Sequence, residues 1–223
     1  MTGSEAFISR ISAWAPGIVT KTDWHEWALG KREVSLSDKG PELSFTDSMF
    51  RRRLSQISKM TIQVVHDLMP FRDDAKIIFS SFRGELSRQF QINKMLIEEK
   101  TLSPAVFSLS VFNAPIALAA MALGLKGGYS AVYTSETSFS AALKTAEAAL
   151  FCGLSDELIF VYADEKAQRE YECFFNKVTP AVSFALLLSK VSSPGSIPFT
   201  STTESHVDFL KQLFLTGAVY VSS

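Results

Sequence analysis

The chain has 223 residues, 47% hydrophobic and 20% charged, with 22 Lys and Arg balanced by 23 Asp and Glu. That length can bury a full core and that balance is ordinary for a globular α/β protein, while a net charge of −1 gives no general attraction for nucleic acid. Two cysteines, Cys152 and Cys173, are too few for a disulfide scaffold and fit a reducing compartment; with a charged N-terminus that lacks a signal-peptide core, a cytoplasmic location is expected.

Residues 7–13 (FISRISA) alternate like a first strand, and Trp14-Ala15-Pro16-Gly17 reads as a turn. Thr22-Asp23 is the expected N-cap of a short helix over 24–29, which puts Trp24, Trp27 and Ala28 on one face. Residues 30–46 read as a polar loop. The clearest long helix is expected over 48–69, where Phe50, Leu54, Ile57, Met60, Val64, Val65 and Leu68 keep a 3.6-residue stripe and Pro70 supplies the stop. A buried strand follows over 75–80 (AKIIFS). Another helix runs from about Gly84 to Glu99, with Phe90, Ile92, Met95, Leu96 and Ile97 on its apolar side.

Residues 101–125 carry no charge over a length that could cross a bilayer. Pro104, Pro115, Ser108, Ser110 and Asn113 argue instead for a buried core helix and its preceding loop, so no membrane span is expected. A glycine turn and a short strand lead to the elbow Thr134-Ser135-Glu136-Thr137-Ser138. The elbow feeds a well-capped amphipathic helix over 138–150, closed by Gly153. Strands are expected over 157–163 (ELIFVYA) and 181–189 (AVSFALLLS), separated by a charged surface segment, 164–176. A loop over 192–203, a helix over 206–215 and a last strand near 217–221 complete the pattern. Alternating strands and helices imply an α/β fold, a mostly parallel or mixed five-stranded sheet between helix layers.

In strand–elbow–helix folds the elbow is where a nucleophile sits, beside the positive end of a helix dipole. The residues around this one carry a resemblance. Ser103-Pro104-Ala105-Val106-Phe107, then Asn113, then Leu123-Gly124-Leu125-Lys126-Gly127 and the elbow itself resemble the N-terminal half of β-ketoacyl synthases. More closely, the FSLSV-x-NA run at 107–114 is similar to stand-alone, chain-length-factor-like members of aryl-polyene and related type II polyketide or fatty-acid clusters, with Phe112 where their pattern has His. The resemblance implies a thiolase-like half, 1–223 as a single N-terminal domain, with the histidine-bearing second half absent. It aligns Glu136 with the family's active cysteine.

Condensation needs a thiolate and groups that assist decarboxylation. Glu136 supplies a carboxylate, Cys152 lies at the wrong end of its helix, and His25, His66 and His206 lie outside the family's histidine motifs. The resemblance therefore implies a non-catalytic accessory protein. The alternative is a thioester hydrolase or decarboxylase working through Glu136 on acyl-carrier-protein substrates; Glu136 equally serves as an anion stabilising a helix N-terminus. No cofactor fingerprint or metal-ligand cluster is present in the sequence. The family's dimer mode implies that Tyr129, Ser130, Ala131, Val132, Tyr133 and Thr134 form a pairing strand, in a homodimer or in a heterodimer with a full-length ketosynthase. Arg51, Arg52 and Arg53 read either as a solvated helix face or as a docking patch for an acidic acyl carrier protein.

Overall fold

The computed structural model describes residues 5–135, 137–153, 155–174 and 179–221. Its centre is a mixed sheet of six strands in the order β3-β2-β4-β5-β1-β6. The strands are β1 (Phe7–Trp14), β2 (Lys76–Ser81), β3 (Tyr129–Tyr133), β4 (Glu157–Asp164), β5 (Val182–Ser189) and β6 (Ile197–Pro198). β3, β2 and β4 run parallel, whereas β5 is antiparallel to β4 and to β1. β4 and β5 are buried along nearly their whole length, which their continuous apolar runs require of strands covered on both faces.

The helices are α1 (Lys21–Ala28), α2 (Ser48–Arg51), α3 (Gln56–Asp67), α4 (Leu86–Lys94), α5 (Pro104–Ser108), α6 (Ala114–Leu123), α7 (Phe139–Cys152) and α8 (His206–Thr216). One face of the sheet packs α1, α7 and α8 around Trp24, Phe139, Phe160, Phe184 and Phe209. The other packs α3 and α6 around Ile57, Met60, Val64, Phe79 and Ile116.

Several boundaries differ from the sequence expectation, each for a local reason. The sixth strand is the two-residue β6, inside the expected loop, where Ile197 pairs with Ile8. The expected last strand reduces to a bridge between Tyr220 and Ile11. Helix α1 starts three residues earlier, because Thr20 and Asp23 form a reciprocal capping box. The helix expected over 48–69 is broken at Arg52 to Ser55. Ser55 leaves the helix to cap α3, accepting from the Ser58 amide while its hydroxyl donates to buried Glu85, and Asp47 caps the separate α2. The helix expected over 84–99 loosens into a π turn at Met95–Glu99. Of its expected apolar side only Ile92 is buried, and Leu96 and Ile97 face outward.

Two glycines are demanded by their surroundings. A Cβ on Gly127 would lie 2.1 Å from the Ala75 carbonyl oxygen, so only glycine lets the turn after α6 cross the start of β2. Gly84, at φ +57°, turns the chain after β2 against the ring of Phe112. Among the described residues no helix is long and apolar enough to cross a membrane.

Candidate functional site

The three parallel strands end on the same side of the sheet. Their ends bring together the turn after β2 (82–85), the elbow after β3 and the segment after β4 (164–168), the place where open α/β sheets hold their ligands. The Thr134 amide donates to the Ser81 carbonyl, so the elbow stays in register with the β2 turn.

Asp164 and Glu165, in the segment expected to be a charged surface, are both buried. Asp164 closes the strand ends: its Oδ1 accepts from the Ser81 hydroxyl and from the amides of Phe82 and Arg83 at 2.7–3.1 Å. Its Oδ2 accepts from the Tyr162 hydroxyl at 2.5 Å and faces Arg83 Nε at 4.0 Å. The Tyr162 hydroxyl also lies 3.2 Å from His206 Nδ1, with the two rings stacked 4.5 Å apart. Phe139, the first residue of α7, sets its ring edge against both Tyr162 and His206. A chain of polar groups thus runs from the β2 turn to the start of the elbow helix. Bonds to a charged acceptor in such a buried setting are the stronger class.

A second polar cluster lies next to it. Glu85 Oε1 accepts from the hydroxyls of Ser55 and Ser58, both at 2.7 Å, and its Oε2 pairs with Arg88 Nε at 3.2 Å. Glu165 Oε1 accepts the Ser87 amide at 2.7 Å, which places a carboxyl on the first turn of α4 from outside the helix. Burial is the main cause that pushes the Glu165 carboxyl up to about 7, with Glu85 and Asp164 adding like charge. Burial also raises Glu85, against the pull of its serine donors and Arg88. Glu165 and Arg88 line a cavity of about 940 Å³ between α3, α4, α5 and α6, whose other side is apolar.

The elbow is held differently from the expected cap. Ser138 makes no side-chain bond to its helix; its hydroxyl accepts the Ser135 amide at 2.9 Å. The start of α7 is instead tied to the loop before α8, since the Phe139 amide donates to the Glu204 carbonyl and the Ser140 hydroxyl to Glu204 Oε1. Gly153 ends α7 in an extended conformation. Glu136 itself lies outside the described residues.

The other sequence candidates are placed as follows. The pairing-strand residues Tyr129 to Tyr133 form β3, at the edge of the sheet, with Thr134 just beyond it. The three arginines separate: Arg51 turns inward, donating to the carbonyls of Leu43 and Thr46, while Arg52 and Arg53 are exposed on the rim of the cavity. Cys152 and Cys173 are free and exposed. His66 stacks on Phe45 and lies 3.2 Å from Asp67, and His25 lies 3.4 Å from the Phe214 carbonyl. His206 alone among the three histidines reaches the strand-end network.

Asp164 and Glu165 depart from the charged surface that the sequence leads one to expect. Their signal was position: charges directly after a continuous apolar strand fall at the carboxyl end of the sheet, where neighbouring strand ends can bury and satisfy them. Glu85 and Arg88 gave no such signal, because their burial depends on α3 breaking at Ser55.

The mixed sheet between two helix layers, with the elbow at the end of β3, defines a thiolase-like half of the ketosynthase type. Residues 24–212 match the family model for the beta-ketoacyl synthase N-terminal domain, and the chain belongs to that family. Its fold is also that of solved ketosynthase assemblies. A chain of the ketosynthase (ApeO) in complex with its chain length factor (ApeC) from Xenorhabdus doucetiae superposes with a TM-score of 0.73 at 22% identity, covering 94% of this chain and 91% of that one. The ishigamide ketosynthase/chain length factor gives 0.68 at 12% identity, over 83% of this chain and 62% of that one. A type II acyl-carrier protein–ketosynthase complex, AntDE:AntF, gives 0.60 at 15%, over 83% and 63%. This chain thus spans about three-fifths of the latter two. No curated protein matches it.

Proposed function

We propose that this chain is a non-catalytic, chain-length-factor-like partner of a ketosynthase in a cytoplasmic type II fatty-acid or polyketide pathway of the aryl-polyene kind. The observation that carries this reading is the open edge at β3. Among the described residues the strand pairs on one side only, with β2, and its Tyr129 and Tyr133 are 36% and 63% exposed. Unpaired backbone groups and large apolar side chains together favour a second chain on this edge. The carboxylate that the sequence puts in the nucleophile's place fits a role without condensation. The solved complexes of similar fold, whose names pair a ketosynthase with a chain length factor or a carrier protein, support the partner. Arg52 and Arg53 are the arginines left available to meet an acidic carrier protein.

The test is light scattering of the chain alone and with its cognate ketosynthase. Along a parallel strand alternate residues point their amides to opposite sides, and the Thr134 bond to Ser81 sets Ala131 outward. Ala131→Pro should therefore abolish the homodimer or heterodimer and spare the fold. A wild-type chain that stays monomeric at every concentration, with and without the ketosynthase, would remove the reading.

A second reading is favoured by the Asp164–Tyr162–His206 chain, which brings to the start of the elbow helix the histidine that the local sequence lacks. This is the reading of a thioester hydrolase or decarboxylase working through Glu136. Turnover of acyl- and malonyl-carrier protein, lost in Glu136→Ala, is its expected result. Equal, negligible turnover by both proteins leaves the accessory role.

A further inference from the structure

The cavity of about 940 Å³ has two unlike walls. Val106, Leu109 and Met121 make an apolar side, and Ser87, Arg88 and Glu165 a polar one. Arg52, Arg53, Arg88 and Lys166 on its lining face Asp38 and Glu165, and Glu85 behind the wall pairs with Arg88, so a surplus of one positive charge remains even with all three carboxyls ionised. Such a cavity suits a small amphipathic anion.

We propose that it binds a free medium-chain carboxylate, its head group against the Arg88–Glu165 wall and its chain along Val106, Leu109 and Met121, with the Glu165 carboxyl gating binding by donating its own proton to the head group in a hydrogen bond. A carboxyl–carboxylate pair needs one proton between two oxygens, which a neutral Glu165 supplies. A phosphate dianion would meet the charges of Glu85 and Asp164 behind that carboxyl and is disfavoured. The groups that face Glu165 are Glu85 and Arg88 from the α4 side, with Asp164 and Lys166 from its own strand end; Asp38 reaches the site through its 3.5 Å pair with Lys166, and Arg52 and Arg53 come from the α2 side. The site concerns this chain alone and does not rest on its pairing with a ketosynthase.

Isothermal titration of the whole chain with decanoate at pH 6 and pH 8 tests it. With the Glu165 carboxyl near about 7, its protonated fraction falls from about 0.9 to about 0.1, so affinity should drop roughly tenfold between the two. Glu165→Gln, whose amide donates at any pH, should bind with no pH dependence. Val106→Trp, its fold confirmed by its thermal melt, should weaken binding by filling the apolar side. Decanol and decyltrimethylammonium should bind at least about tenfold more weakly than decanoate. S-decanoyl-pantetheine carries the chain without a carboxylate and separates a free acid from a carrier-borne chain: weaker binding supports the proposal, and equal or tighter binding overturns it. Wild-type binding that is absent at millimolar decanoate, or that is independent of pH, also overturns it.

Discussion

Replacing Glu165 by Gln isolates the cost of burying that carboxyl. In the folded chain burial raises it from the ordinary 4.5 to about 7. The folded-state value lies above the unfolded one, so the native state holds this proton more tightly. The stabilising contribution is fully present below about pH 4.5 and is lost as pH rises toward and past about 7. Between pH 5.5 and pH 8 the loss from this single group is about 2 kcal/mol, from the difference in proton uptake of the two states. The Gln amide oxygen can still accept the Ser87 amide, so the cap on α4 survives while the titration is removed. Urea unfolding followed by tryptophan fluorescence reads the effect, because Trp24 is fully buried and stacked on Phe214. Wild type should lose at least about 2 kcal/mol more than Glu165→Gln between the two pH values; burial also raises Glu85, which keeps its own slope in both proteins. Two stability–pH curves that run parallel would refute the assignment of this carboxyl to a costly buried setting.

Gly127→Ala should destabilise the chain by about 3 kcal/mol or leave it insoluble, because the added Cβ meets the backbone of Ala75 and Asp74, which cannot give way; a melt against wild type decides it. Tyr162→Phe should cost about 1–3 kcal/mol by leaving Asp164 Oδ2 short of its closest donor, and denaturant titration measures it. Arg52→Glu with Arg53→Glu should weaken acyl-carrier-protein binding about tenfold at low salt, with the wild-type affinity itself falling as salt rises. Arg51→Glu should lower stability instead, since Arg51 ties down the loop at Leu43 and Thr46.

Much of this architecture is legible in local sequence because period and burial agree. The apolar centres of β4 and β5 fit central strands, and the stripe Ile57, Met60, Val64 and Val65 fits a helix lying on the sheet. What sequence did not carry depends on pairs far apart along the chain. Ser55 breaks a helix whose apolar stripe continues through it, because its hydroxyl is needed by Glu85 thirty residues later. Glu165 looks solvated until the first turn of α4 offers it an amide. His206 looks incidental until Tyr162 stacks on it from the neighbouring strand end. In each case a tertiary polar contact outweighs a local preference, and polar contacts leave no periodic trace in a sequence.

The open edge and the cavity are also physically joined, which makes their two readings interact. Met121 stands 72% exposed on α6, the helix beside β3, and it lines the apolar side of the cavity. A chain that pairs on β3 and covers Met121 would therefore close that wall, removing apolar surface from water on the ligand as well as on the protein. Carboxylate affinity should rise when the partner is bound, and by linkage a bound carboxylate should tighten the pairing by the same factor. Titrating decanoate into the complex and into the free chain measures the first factor, and the dimer dissociation constant with and without decanoate measures the second. For a heterodimer with one site the cycle requires the two factors to agree wherever the ligand sits, so the second measurement checks the first. Factors of one would show that the partner leaves Met121 uncovered.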